Sequence, residues 1–304
     1  MLILAIWPLF AVICAGHVMA RRDWPSASFW PAAEKINYFV LFPALLMSSL
    51  ASAPVQDPAL IRLGGAGVTT ILIAALILWG LQRVRPVPAG RFGPMMQGAV
   101  RFNTYLALSV LAGLAGTQGI EQAAVYLAVA VPLVNVLSIL ALSAGDGGTA
   151  ATPAMLARTI LRNPLILACL GGFALAATGI GLPWGTEQFV SLLGQGSLPL
   201  GLLCVGAALQ PHALRRDAVA LGLAGAARLV MLPLLAAAVC KGFDLDPVAT
   251  LVVVVFSAVP TAPTAYVLTR QLGGDGPFMA GLVTAQTLMA VMTIPLVLAL
   301  LSMG

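Results

Sequence analysis

The chain has 304 residues, of which 60% are apolar and only 8% charged, and its formal net charge is +5. A soluble domain carries about a quarter of its residues as charges, so this chain cannot cover its surface for water. With a mean hydropathy of +1.01, part of its solvent must be hydrocarbon, which excludes a soluble enzyme. The class is an all-α polytopic membrane protein. The basic pI of 9.4 does not point to nucleic acid, because the basic residues stand between apolar segments, where topology accounts for them.

The chain opens on MLILAIWPLFAVICAGHVMA, with no basic residue before the apolar run and Arg21-Arg22 after it. That order predicts a retained first helix with its N-terminus outside, not a cleaved signal. A hydrocarbon core about 30 Å thick needs roughly 20 apolar residues per helix. Ten segments answer to that description: 3–20, 36–50, 63–81, 98–117, 123–142, 164–182, 189–209, 218–239, 248–269 and 278–301. Only the turn GTQGIEQ (116–122) separates the fourth from the fifth. With the N-terminus outside, the cytoplasmic side carries Arg21, Arg22, Lys35, Arg83, Arg85, Arg91, Arg101, Arg158, Arg162, Arg215, Arg216 and Arg270, and the other side only Arg62 and Lys241. This is the positive-inside pattern. It places both termini outside, in a cytoplasmic (inner) membrane. Cys14, Cys169, Cys204 and Cys240 all fall in apolar segments without metal-ligand spacing and read as small hydrophobes. His17 reads as an interfacial residue.

The two halves of the chain resemble each other. Cys14 recurs as Cys169, Pro43 as Pro199, Pro54 as Pro211, Gly116 as Gly273 and Gly119 as Gly276, at offsets of 155, 156, 157, 157 and 157. Five spans per half is an odd number, so the second half enters from the opposite side. The expected organisation is two inverted five-helix repeats, 1–143 and 164–304, joined by a cytoplasmic linker, 144–163. Inverted repeats of this kind mark secondary transporters, whose sites lie where broken helices meet near the midplane.

The ninth segment contains VPTAPTAYVL (259–268). Proline removes a backbone donor and crowds the preceding turn, and unpaired backbone in lipid survives only against protein or a water-filled cavity. A single proline reads as a packing kink. Pro260 and Pro263, flanked by Thr261 and Thr264, read as a site: a new half-helix starts past the prolines, and its free N–H groups and dipole suit an anion. By the 157-residue offset Pro260 lies opposite Asn103 in RFNTYLALS (101–109). Asn103 and Thr104 either cap a helix start or face the ninth segment across a cavity. Asn135, in VPLVNVL, and Gln286, in LVTAQTLM, are polar residues in hydrocarbon, each fitted to an interhelical hydrogen bond or to the site. Arg228 is the basic residue deepest in a span, with no intramembrane carboxylate to pair with. Its natural partners are an anionic substrate or the carbonyls of a broken helix. Arg101, nearer the cytoplasmic face, reads as a topological charge.

These motifs taken together, FPALLMSSLA (42–51), RFNTY (101–105), PLVNVL (132–137), RNPLIL (162–167), RLVMLP (228–233) and AVPTAPTAYVLTRQLGGD (258–275), resemble the auxin efflux carrier family, in particular its bacterial malonate and organic-acid permeases. The resemblance implies crossed, broken fourth and ninth helices, as in sodium–proton antiporters and bile-acid symporters. It also implies a scaffold of the first, second, sixth and seventh helices, often dimeric, and an elevator-type mobile domain built from the rest. The family often carries a proline in its fourth helix, and none stands between Asn103 and Thr117; Gly113 and Gly116 are the residues there that permit a break.

The expected function is carriage of small organic anions by alternating access, with a proton or sodium as candidate coupling ion and no cofactor or metal. The substrate-binding candidates are Asn103, Thr104, Asn135, Arg228, Pro260, Thr261, Pro263, Thr264 and Gln286. A cation–proton antiporter needs buried carboxylates, whereas all ten acidic residues fall in loops or at helix ends. An enzyme needs a nucleophile–base pair or a metal cluster, and neither His17 nor His212 has such a companion. An anion sensor that moves nothing is the remaining alternative.

Overall fold

The computed structural model describes residues 2–51, 58–143, 161–182 and 185–302, with Thr152, Ala154 and Arg158 of the linker; Pro54 and the rest of the linker lie outside the described residues. Those residues form helices and no strand. In chain order they are α1 (Leu2–Arg21), α2 (Phe29–Ile36), α3 (Phe42–Ala51), α4 (Pro58–Val84), α5 (Ala89–Val100), α6 (Thr104–Ser143), α7 (Pro164–Thr178), α8 (Thr186–Gln195), α9 (Ser197–Ala207), α10 (Ala218–Ala226), α11 (Leu232–Gly242), α12 (Pro247–Ala258), α13 (Thr264–Gln271) and α14 (Gly276–Ser302). A π-turn, Asn37–Leu41, joins α2 to α3, and another, Ala227–Met231, joins α10 to α11. Such turns insert one residue into the helical register and re-aim a side chain. Here they bury Asn37 and Arg228.

Helix starts follow the local chemistry. Asn163 accepts from the N–H groups of Leu165 and Ile166, and Asp246 from those of Val248 and Ala249, in each case with proline at the first helical position. Cap and proline satisfy donors that the first turn leaves free. The run Thr104–Ser143 is two helices joined at a corner, because Gly116 stands at φ 57°, ψ −143°. Only glycine enters that region without strain, so the short turn between the fourth and fifth predicted segments is this residue.

Among the described residues five stretches are long and apolar enough to cross a membrane: Ala59–Val84, Gly90–Ser143, Thr186–Ala207, Ala218–Gly242 and Gly276–Leu301; Ile6–Arg21, Pro164–Thr178 and Pro247–Ala258 are shorter apolar helices. Leu72, Leu76, Ile77 and Leu81 on α4, Leu223 on α10 and Met292, Leu296 and Leu300 on α14 are exposed. Apolar side chains presented outward in such rows suit contact with acyl chains. By contrast α12 is enclosed, with Val252 through Val259 all buried, as expected of a helix that is apolar on every side. It anchors the core through an aromatic stack: Tyr126 lies 4.5 Å from Phe256, and Phe102 5.0 Å from Phe256.

One helix contact is made almost backbone to backbone. A methyl group on Gly206 of α9 would overlap the Ile13 carbonyl of α1, and one on Gly16 would overlap the Leu203 carbonyl. Small residues permit such approach where no hydrophobic force drives helices together in lipid. His17, expected as an interfacial residue, sits at the same seam with its Nδ1 3.3 Å from the Gly206 oxygen. Gly206→Ala is therefore expected to lower unfolding stability by about 1–3 kcal/mol through overpacking, measured by thermal or denaturant unfolding in detergent micelles.

Candidate functional site

Two helices are interrupted in the interior. One break covers 101–103, between α5 and α6, and the other 259–263, between α12 and α13. The first falls neither at Gly113 nor at Gly116, and it needs no proline. The fourth apolar segment begins at Ala89, earlier than the 98 read from hydropathy, so its helical stop is Val100. The breaks meet: the Asn103 N–H donates to the Pro260 carbonyl at 2.8 Å.

Several carbonyls released at the breaks are held by side chains. Arg228 donates from Nε to the Val259 oxygen at 3.0 Å, from Nη1 to the Ala99 oxygen at 2.7 Å and from Nη2 to the Phe256 oxygen at 2.7 Å. Gln286 donates from Nε2 to the Gly98 oxygen at 3.0 Å and accepts at Oε1 from the Thr261 N–H at 2.9 Å. The Thr261 hydroxyl lies 3.0 Å from the Gly98 oxygen and 2.8 Å from Gln286 Oε1. Gln97 Nε2 donates to Thr269 Oγ1 at 2.7 Å, tying α5 to α13. A C-terminal helix end carries roughly half a negative charge. Arg228 spans two of them.

The N-terminal ends are different. Thr104 and Tyr105, at the start of α6, donate to no backbone acceptor. In front of them lies a cavity of about 80 Å³, lined by Glu34, Tyr38 and Phe42 from the α2–α3 run; by Arg101, Phe102, Asn103, Thr104 and Tyr105; by Val131, Val134 and Asn135; by Asn163, Leu165, Cys204 and Val205; and by Ala262, Pro263 and Thr264. That volume holds two or three waters, or a small acid in their place. Two buried donors in its wall, Arg101 Nη1 and Asn103 Nδ2, have no hydrogen-bond partner among the described residues. The other Arg101 terminus reaches Thr264 Oγ1 only at 3.5 Å. A wider vestibule of about 710 Å³ shares Glu34, Tyr38, Arg101, Asn135, Asn163 and Thr264 with the cavity and adds Lys35, Arg158 and Arg162.

Of the nine sequence candidates, Asn103, Thr104, Asn135, Pro263 and Thr264 line the cavity. Pro260, Thr261, Arg228 and Gln286 are buried behind the breaks, bonded to backbone. Arg228 thus has carbonyls, one of the two kinds of partner its position called for. Arg101, read from the sequence as a topological charge, stands in the cavity wall instead, and Glu34 and Asn163 were passed over. Arg101 is adjacent to a break that no proline announces, and Asn163-Pro164 carries a helix-start signature that says nothing of the cavity beside it. No group of His, Cys, Asp and Glu fit to hold a metal ion occurs among the described residues.

Apolar faces turned outward, around an interior polar cavity at two interrupted helices, suit a protein of the membrane. The chain matches the family described as membrane transport protein over residues 2–298, and it belongs to that family, the auxin efflux carriers. It is also 27% identical over 310 residues to a protein of Rhizobium meliloti (strain 1021) named "Putative malonate transporter", an alignment covering 98% of this chain and 95% of that one.

Arg228→Met orphans three buried carbonyls, each worth about 1–3 kcal/mol. It is expected to cost about 3 kcal/mol or more in folding stability, read as early unfolding in detergent, with Arg228→Lys recovering part.

Proposed function

We propose that the protein is a secondary carrier for small organic anions, malonate-like carboxylates among them, working by alternating access of an elevator type. The observation that carries this reading is the pair of unpartnered buried donors, Arg101 Nη1 and Asn103 Nδ2, in a cavity walled by helix N-termini. An unmade bond to a buried charged donor is costly, and a carboxylate supplies the missing acceptor with charge assistance. The starts of α6 and α13 add partial positive charge. The vestibule arginines and Lys35 concentrate anions at the mouth. The relative's printed name agrees with this chemistry.

In this reading the chain crosses the membrane ten times as two inverted five-helix units, 1–143 and 164–304, joined by the cytoplasmic linker 144–163. The breaks α5–α6 and α12–α13 are the crossed fourth and ninth helices. Support comes from the Asn103–Pro260 bond, which joins residues at the 157-residue offset, and from Gly116 and Gly273, related by the same offset and both at positive φ. Both termini are outside a bacterial inner membrane, and the helices equivalent to α1, α2–α3, α7 and α8–α9 form the scaffold and a homodimer contact. Sodium coupling through carbonyls finds little support, because Arg228 and Gln286 already hold the carbonyls that a sodium ion would use.

Uptake of labelled malonate, within a panel of small acids, into proteoliposomes containing the purified protein tests the reading. No flux with any acid would overturn it. Arg101→Gln is expected to lower uptake by about 10- to 100-fold, the value of one charge-assisted bond, with a melting temperature close to wild type because the residue's protein contacts are weak. Pro263→Ala is expected to lower flux as well, by extending α13 backward into the cavity.

A further inference from the structure

The cavity that welcomes an anion also holds a carboxylate. Glu34, on α2 just ahead of the apolar run that starts at residue 36, lines the central cavity, the vestibule and a third cavity of about 150 Å³ reaching Tyr266 and Val283. It makes no ion pair among the described residues. Burial pushes its carboxyl above the ordinary range.

The groups facing it are few. On its own helix stands Lys35, turned to the vestibule, and on the π-turn that follows stands Tyr38. From the first break comes Arg101, from the start of α6 Tyr105, from α9 Cys204, and from α13 Tyr266. Arg158 and Arg162 lie outward, in the vestibule, where salt and water screen them. Arg101 is the cation of this set that lines the central cavity, so the fixed side-chain charges there cancel against Glu34. The starts of α6 and α13 and the Asn163-capped start of α7, at about half a charge each, leave roughly one to one and a half positive charges for a ligand. A dianion exceeds that, and its second carboxylate would confront Glu34 with two lone-pair-rich oxygens and no hydrogen between them. One proton removes both conflicts.

Resting on the carrier reading above, we infer that Glu34 selects acids presenting one negative charge and one proton donor, so that a dicarboxylate binds with a proton taken from solvent and shared between Glu34 and its second carboxyl group. One carboxylate meets Arg101, Asn103 and the start of α6. The other end meets Glu34. Glu34 is thereby a specificity-determining residue, and malonate affinity rises about tenfold per unit fall in pH wherever the free acid is a dianion, as one-proton linkage requires.

Isothermal titration of malonate and of propionate into the detergent-purified full chain, at neutral pH in buffers of different ionisation enthalpy, counts the protons. Wild type is expected to take up about one proton per malonate and none with propionate, whose single charge already matches the cavity. Glu34→Gln is expected to bind malonate with uptake reduced toward zero, and Glu34→Asp to retain it. Malonate binding without proton uptake, or equal uptake in wild type and Glu34→Gln, would overturn the inference while leaving the anion carrier intact. Absence of binding by both acids would overturn the two together.

Discussion

A polypeptide that stops being helical inside a hydrocarbon layer must find a partner for every N–H and C=O it releases, because no water is there to supply one. In this protein part of that demand is met by side chains and part by the backbone of the other break. Three of the five N–H groups of Arg228 are spent on Ala99, Phe256 and Val259, Gln286 and Thr261 close on Gly98, and the Asn103 amide closes on Pro260. A guanidinium suits the task because its fork is planar, rigid and always charged. It faces two negative helix ends at once, where a neutral amide would leave their charge unbalanced. The π-turn at Ala227–Met231 is what turns this side chain inward to reach them.

Satisfying one end of each break exposes the other. Behind the breaks Arg228 and Gln286 hold carbonyls, and the cavity meets the starts of α6 and α13 with the side chains of Arg101 and Asn103. The two arginines therefore divide the work. Arg228 is fully committed to backbone and holds the breaks together, whereas Arg101 is held weakly, beside Thr264, with a donor to spare. A single arginine could not do both, since the geometry that saturates one guanidinium removes it from a ligand's reach.

At one end of the bundle a second charged cluster fixes how the halves of these helices are presented. Arg91 at the start of α5 makes a bidentate pair with Asp217 at 2.9 and 3.0 Å and reaches Asp275 at 3.2 Å. Asp275 in turn caps α14, accepting from the Phe278 N–H at 2.9 Å. Its backbone N–H donates to Gly90 at 2.8 Å. The entry to α5, the start of α10 and the turn before α14 are thus one unit. Because the pairs are partly exposed, their worth lies in register more than in free energy.

Much of this was legible in the residues themselves, for reasons of solvent. A chain with so few charges has to meet hydrocarbon, and prolines at 260 and 263 remove backbone donors wherever they are placed, so the class of protein and the ninth-segment interruption follow from composition and covalent structure. The first break was legible only through the internal repeat, which set Asn103 opposite Pro260 and allowed it to cap a helix start, as it does for Leu106. Residues 101–103 contain nothing that forbids a helix, and they leave it because the Pro260 carbonyl, 157 positions away, takes the Asn103 amide. Likewise Arg228 and Arg101 are the same side chain on paper. Only the packed structure, by placing three carbonyls around the first and an open cavity beside the second, decides which one is saturated by backbone and which one keeps an unpaired donor.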